Sequence, residues 1–334
     1  MQPVAYKRLG NAQATWSVSR DQQLQTCERK YYFQYLSGAR INSPDPVIRG
    51  IALLKKVKTV AMWRGDCVHW AIAQYLSSVK SGRPPGANKL AELLRGRIER
   101  DWQFSTQRRF RTQPGLVDQA GVALFEHEYD EMPPGIGPER VFEEASKMLS
   151  RFLLWAEGPG KLPEKITGAD RIWIEPPMFG PDAPGFCCEE VQVLTKVDFA
   201  WERVDEEFAI YDWKSGRAQV KQGEALTQHE MQVGIYQLWP HLTLGHPLKS
   251  IASRLVYLGE EKAKEETFTL DETQASHVLR LAGDSIRQTK RWEQLFAEGE
   301  MNKDDLDFAS HINQCRQCNF KRMCRDDVQS RDLL

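Results

Sequence analysis

Several features are missing from this chain of 334 residues, and each absence narrows its class. It has no apolar run of the ~18 residues that a membrane helix needs, so no membrane span or membrane partner is expected. Its opening stretch, MQPVAYKRLG, contains no apolar segment of the kind a secretory leader carries; export is not expected and a cytoplasmic location is. A net charge of −1 exerts no global pull on nucleic acid, so any polyanion must be met by local patches or by metal. No G-x-x-x-x-G-K-[ST] loop is present, which excludes an ATP-driven motor within this chain. There is no internal repeat and no long low-complexity segment. Seven cysteines without an export signal argue against a disulfide framework. What remains is a chain with 41% hydrophobic residues, enough for a packed core and long enough for two domains or one elaborated domain.

The most informative stretch is residues 191–216, VQVLTKVDFAWERVDEEFAIYDWKSG. It reads as two β-strands, 191–201 and 208–213, joined by a charged turn at 203–207. Each carries a carboxylate where a core residue is expected, Asp198 and Asp212. Lys214 lies two positions beyond Asp212, on the same strand face. Two carboxylates buried beside a sheet cost desolvation energy unless a cation joins them. A divalent metal between Asp198 and Asp212 satisfies that requirement and leaves Lys214 for an anionic substrate. The plain alternative is a hairpin with a surface salt bridge.

Three helical stretches accompany it. Residues 19–36 place Leu24, Cys27, Tyr31 and Tyr35 on one stripe, opened by a Ser19–Gln22 capping box. A helix beginning near Gly65 buries His69 with Ile72, Ala73 and Leu76, where a histidine is either a satisfied core residue or a ligand. Residues 226–239 place Gln228, Gln232, Ile235, Tyr236 and Trp239 on neighbouring positions of one face. Further strands are expected at 169–178, 251–258 and 266–270, and a long helix at 271–299, opened by acids that suit the positive end of its dipole.

The remaining signal is Cys315-Arg-Gln-Cys318-Asn-Phe-Lys-Arg-Met-Cys324. Three thiols at C-x2-C-x5-C spacing point to metal. Zinc needs one more ligand, which His311 or Cys27 could supply. An iron–sulfur cluster takes four thiolates, and Cys27 is the candidate fourth. Cys67, Cys187 and Cys188 lie in apolar surroundings and read as core.

Taken in order, Cys27, His69, Asp198, Asp212-Trp213-Lys214, Gln232-x3-Tyr236 and the three C-terminal cysteines resemble the PD-(D/E)XK nuclease superfamily in its RecB-like iron–sulfur branch. AddB-type nuclease domains and CRISPR-adaptation nucleases share that arrangement. Val197 stands where the family name has proline, and Asp212 is the shorter of the two permitted acids. The resemblance implies an α/β fold, a restriction-endonuclease-like core with a mixed central sheet flanked by helices, and a C-terminal iron–sulfur segment. It implies that His69, Asp198, Asp212 and the carbonyl of Trp213 hold Mg²⁺ or Mn²⁺. Lys214, Gln232 and Tyr236 would serve catalysis with the two aspartates. Cys27, Cys315, Cys318 and Cys324 would hold a [4Fe-4S] cluster.

Residues 80–165 fall outside the resemblance. Basic residues there alternate with Trp102, Phe104 and Phe110, which fits either a groove for single-stranded nucleic acid or a solvated helix face over a core. Arg108, Arg109 and Arg111, with Lys321 and Arg322 among the cysteines, are the candidate DNA contacts. The organisation expected is residues 1–80 with the first cysteine and the histidine, a helical insertion over 81–165, a nuclease core over 166–300 and an iron–sulfur segment over 301–334. The function expected is metal-dependent hydrolysis of DNA, as an exonuclease on single strands or DNA ends, in repair or phage defence. The alternative is a DNA-binding or end-processing subunit that depends on a helicase or a CRISPR-adaptation or defence partner.

Overall fold

The computed structural model describes residues 14–180, 182–204, 206–218 and 226–324. Its strands are β1 (Thr15–Trp16), β2 (Val57–Lys58), β3 (Ala123–Leu124), β4 (Arg171–Ile174), β5 (Gly185–Cys188), β6 (Val191–Leu194), β7 (Phe199–Arg203), β8 (Glu207–Lys214), β9 (Ile251–Tyr257) and β10 (Lys264–Phe268). The chain divides into two compact units, each discontinuous in sequence. Of the described residues, the first takes those within 14–21, 68–90 and 146–290, and the second those within 22–67, 91–145 and 291–324.

The first unit is built on a five-stranded sheet in the order β10-β9-β8-β7-β4. β8 and β9 run parallel and the other neighbours antiparallel, so the sheet is mixed. Side-chain alternation along β8 decides what each face does. Phe208 and Ile210 point into a core with Ile235, Leu238 and Trp239 of helix Gln228–Trp239 and with Val278, Ala282 and Ile286 of helix Glu272–Glu298. Tyr211 and Trp213 point the other way, into an aromatic layer. There Trp213 meets Phe152 at 5.1 Å and Trp155 at 5.8 Å, and both belong to helix Pro138–Glu157. Asp212 and Lys214 therefore face helix Gln228–Trp239. That helix starts on a capping box between Thr227 and Glu230.

A second, three-stranded sheet has the order β1-β6-β5. It divides the run expected as one strand over 191–201. Val191–Leu194 pairs with β1 and β5, the chain turns through Thr195–Asp198, and Phe199–Arg203 joins the larger sheet. Asp198 consequently sits just before β7 rather than within a strand. The turn is stabilised by the aspartate itself, whose Oδ2 accepts the Trp213 N–H at 2.8 Å where β7 offers no further backbone partner.

In the second unit β2 and β3 form a short parallel pair. Phe33, Leu54, Phe104, Phe110, Phe125 and Phe320 supply its core. Glu126 accepts the Val60 N–H at the start of helix Val60–Lys80, an acidic side chain at the positive end of the dipole. No helix among the described residues is long and apolar enough to cross a membrane.

Candidate active site and cysteine cavity

Asp198 and Asp212 are both buried, with 5% and 4% of their surfaces exposed. Their carboxylates are held differently. Asp198 accepts the Trp213 N–H on one oxygen and lies 3.2 Å from His69 Nδ1 on the other. Asp212 Oδ2 lies 2.6 Å from Lys214 Nζ as an ion pair, outside hydrogen-bond geometry. Its other oxygen accepts from Gln232 Nε2 at 3.1 Å. Lys214 donates to Gln232 Oε1 at 2.7 Å, and Gln232 Nε2 also reaches the Tyr236 hydroxyl at 2.6 Å. Tyr236 donates to the Lys196 carbonyl at 2.5 Å and so ties the helix to the turn that carries Asp198. The spacing Gln232-x3-Tyr236 makes this possible, because positions four apart share a helix face.

Each charge here shifts its neighbours. Burial would lower the pKa of His69, but the Asp198 charge and hydrogen bond, then Asp212 and Glu175, raise it to about 9. Burial and the neighbouring Asp198 charge push Asp212 up to about 6, against the pull of Lys214. Burial opposes ionisation of Asp198 too, but His69, the Trp213 N–H and Lys214 outweigh it and hold this carboxyl below the usual range.

Glu175 was not foreseen from the sequence. Its Oε1 lies 3.9 Å from His69 Nδ1, and His69, Glu175 and Asp198 each offer a donor atom within 4.8 Å of the others. One nitrogen and two carboxylate oxygens suit a hard divalent cation. Glu175 follows β4 with a φ of +42°, an uncommon conformation for a residue with a Cβ, and its N–H is fixed to the Asp198 carbonyl at 2.9 Å. The sequence signal was present: an acidic residue at a strand end before Pro176-Pro177.

Cys27, Cys315, Cys318 and Cys324 line one cavity of about 360 Å³ in the second unit, and none is in a disulfide. Cys27 Sγ accepts the Lys30 N–H at 3.4 Å, and Cys318 Sγ accepts that of Phe320 at 3.4 Å. Burial pushes the Cys318 thiol up to about 11 and raises that of Cys315, with Cys27 adding to the effect. Among the described residues no three cysteine sulfurs lie within 4.8 Å of one another. Phe320 is fully buried and stacks on Phe33 at 5.4 Å, while Asn319 is bonded to the Leu54 carbonyl.

The arginines that alternate with aromatics are placed otherwise. Phe104 and Phe110 are core residues, and Trp102 packs on Trp63 and His127, so the two phenylalanines are not available beneath bases. Arg108 pairs with Asp130, Arg111 and Arg322 share buried Glu128, and Lys321 pairs with Glu131. Arg109 lies over Phe104 and donates to Gln113. Arg325 lies outside the described residues.

The family model of the PD-(D/E)XK nuclease superfamily matches residues 15–325. The chain belongs to the PD-(D/E)XK nuclease superfamily. Phosphodiester hydrolysis is accordingly its general chemistry, and divalent metal the usual requirement of the superfamily. No curated protein matches. Among solved structures this PD-(D/E)XK chain is similar to SSO0001, at 14% identity over 69% of this chain and 84% of that one, with a TM-score of 0.30. It is also similar to a provisionally assigned exonuclease from Eubacterium rectale, at 15% identity over 90% of this chain and 87% of that one, with a TM-score of 0.40.

Proposed function

We propose that this chain is a metal-dependent DNA nuclease of the RecB-like iron–sulfur branch, acting as an exonuclease on single strands or DNA ends. The observation that carries the reading is the connected set in which Asp212, Lys214, Gln232 and Tyr236 are bonded to one another beside the Asp198–His69–Glu175 group. Asp198, Asp212, His69 and the Trp213 carbonyl would hold Mg²⁺ or Mn²⁺, and Glu175 joins them as a donor. Such an ion supplies Lewis-acid polarisation of the phosphodiester and of the attacking water. Lys214, fixed between Asp212 and Gln232, orients that water and offsets the negative charge that grows on the phosphoryl oxygens. Gln232 holds Lys214 in line while donating to Asp212. Tyr236 anchors Gln232 and the Asp198 turn, so its part is positioning.

The reading of these cysteines as a [4Fe-4S] site rests on the C-x2-C-x5-C spacing with the distant Cys27, and their place around one cavity is compatible with four thiolates meeting one group. Hydrolysis consumes no electrons, so the cluster is structural in this reading. Anaerobically purified protein should contain about four iron and four acid-labile sulfide per chain. One zinc and no sulfide would replace the cluster reading.

The deciding experiment is cleavage of end-labelled single- and double-stranded DNA with Mg²⁺, Mn²⁺ or EDTA, alongside Lys214→Ala. Cutting that needs metal, fails in the variant and releases products from one end is the expected result. Wild type and variant that bind DNA but are equally inert would point instead to a subunit that needs a helicase or defence partner.

A further inference from the structure

Beyond the carboxyl ends of β8 and β9 the first unit opens a cavity of about 610 Å³. Arg151, Arg217, Lys262 and Lys264 line it together with Glu260 and Glu261. The cavity is built onto the active-site strand. The Leu258 N–H donates to the Lys214 carbonyl at 2.7 Å, and the Gly259 N–H to the Gly216 carbonyl at 3.2 Å. Only glycine permits that approach, since a Cβ at position 259 would lie 2.6 Å from the Gly216 oxygen. The Arg151 guanidinium is fixed from the other side by the Leu258 carbonyl at 2.9 Å.

We propose that this cavity binds phosphodiester groups of the nucleic-acid substrate, next along the strand from the one being cut. The inference rests on the nuclease reading for the identity of its ligand, and on charge and position for its place. Lys264 is paired with Glu266, and Glu260 accepts the Ala218 N–H. Arg217 and Lys262 are exposed and have no carboxylate partner among the described residues. A surplus of cations is notable in a chain whose net charge is −1. It also lies where a substrate needs it. Arg217 is three residues from Lys214, a Cα separation of at most about 11 Å. A backbone leaving Lys214 in that direction meets Arg217 and Lys262 with its phosphates, and contacts to phosphate carry no sequence information. This suits an enzyme that must advance along any strand.

The test is equilibrium binding of a fluorescent single-stranded oligonucleotide in EDTA, at several salt concentrations, with inorganic phosphate as competitor. Arg217→Ala/Lys262→Ala should weaken binding about tenfold at low salt. It should also flatten the plot of log K against log salt by about 0.7 for each phosphate that is no longer neutralised. Glu261→Gln removes an exposed carboxylate from the rim and should tighten binding. An unchanged slope in the double variant overturns the proposal, as does a wild type that does not bind. So does a double variant that loses only its affinity for inorganic phosphate, which would make this a site for free anions. Cleavage is read separately. A protein that cuts DNA but keeps its slope in the variant sinks the pocket alone, whereas one that never cuts yet loses slope sinks the nuclease reading alone.

Discussion

At the scale of single residues, Asp198 has two tasks. One oxygen faces His69 and the other terminates the Trp213 N–H, so its replacement by alanine would break a backbone hydrogen bond as well as remove a ligand. Asp198→Asn keeps an oxygen for Trp213 and is the cleaner probe of chemistry. Lys214→Ala should lower the cleavage rate by about 10²–10³-fold, the usual consequence of losing one preorganised charge-stabilising group. DNA affinity measured in EDTA should change far less, and an equal loss in both would place Lys214 in binding rather than catalysis. Glu175→Gln should weaken Mn²⁺ binding about tenfold or more when followed by titration calorimetry, since a carboxylate ligand becomes a neutral amide. Equal affinity in the two proteins would remove Glu175 from the metal group. Glu175 escaped notice in the sequence because the whole of 169–178 was read as strand, whereas β4 ends at Ile174. A lone acid at a strand end does not disclose that a positive φ turns it back toward another strand.

At the scale of elements, the sheet shows how alternation builds a site and where pattern reading stops. Period two along β8 correctly set Asp212 and Lys214 on one face, and period 3.6 set Gln232 and Tyr236 on one face of the helix that meets them. The break at Thr195–Asp198 was not legible, because an apolar run carries no mark where it leaves one sheet for another. β1 was invisible too, since two residues pair with a strand far away in sequence. The edge of the larger sheet offers a test of its own. Glu202 on β7 is buried opposite Arg171 of β4, bonded to Arg171 Nε at 2.5 Å and to His246 Nε2 at 3.0 Å. Burial would raise its pKa, but these two partners outweigh burial and lower it. Its contribution to stability is therefore complete above the unfolded value of about 4.3 and is lost as the pH falls through the depressed folded value. Glu202→Gln should cost about 1–3 kcal/mol at pH 7. The half-exposed Arg171 argues for the lower end. The gap from wild type in urea midpoints should narrow in acid; a gap that stays constant with pH would show that the charge contributes nothing.

At the scale of the whole molecule, composition excluded more than it specified. The order of motifs along the chain was legible because each is a short run with its own spacing. The two units were not, since each is assembled from three separate segments. The paired arginines of residues 108–111 were equally hidden, because their acidic partners Glu128 and Asp130 lie in a different element. The second unit also yields a prediction about its anchor. Phe320 is fully buried among Phe33, Leu54 and Phe125. Phe320→Ala should cost about 3–5 kcal/mol and lower metal content, and Cys315→Ser should lose metal and solubility together, as a structural cluster requires. Denaturant melts with iron analysis check both, and a soluble, colourless Cys315→Ser protein as stable as wild type would contradict the structural role. The same anchor sets an order of events in the cell. A ribosome delivers Cys27 and Phe33 nearly three hundred residues before Cys315, Phe320 and Cys324, so the second unit cannot close its core until that later segment has emerged. Whatever is loaded between those thiols must wait for it, and a chain terminated ahead of Cys315 would never acquire the site at all.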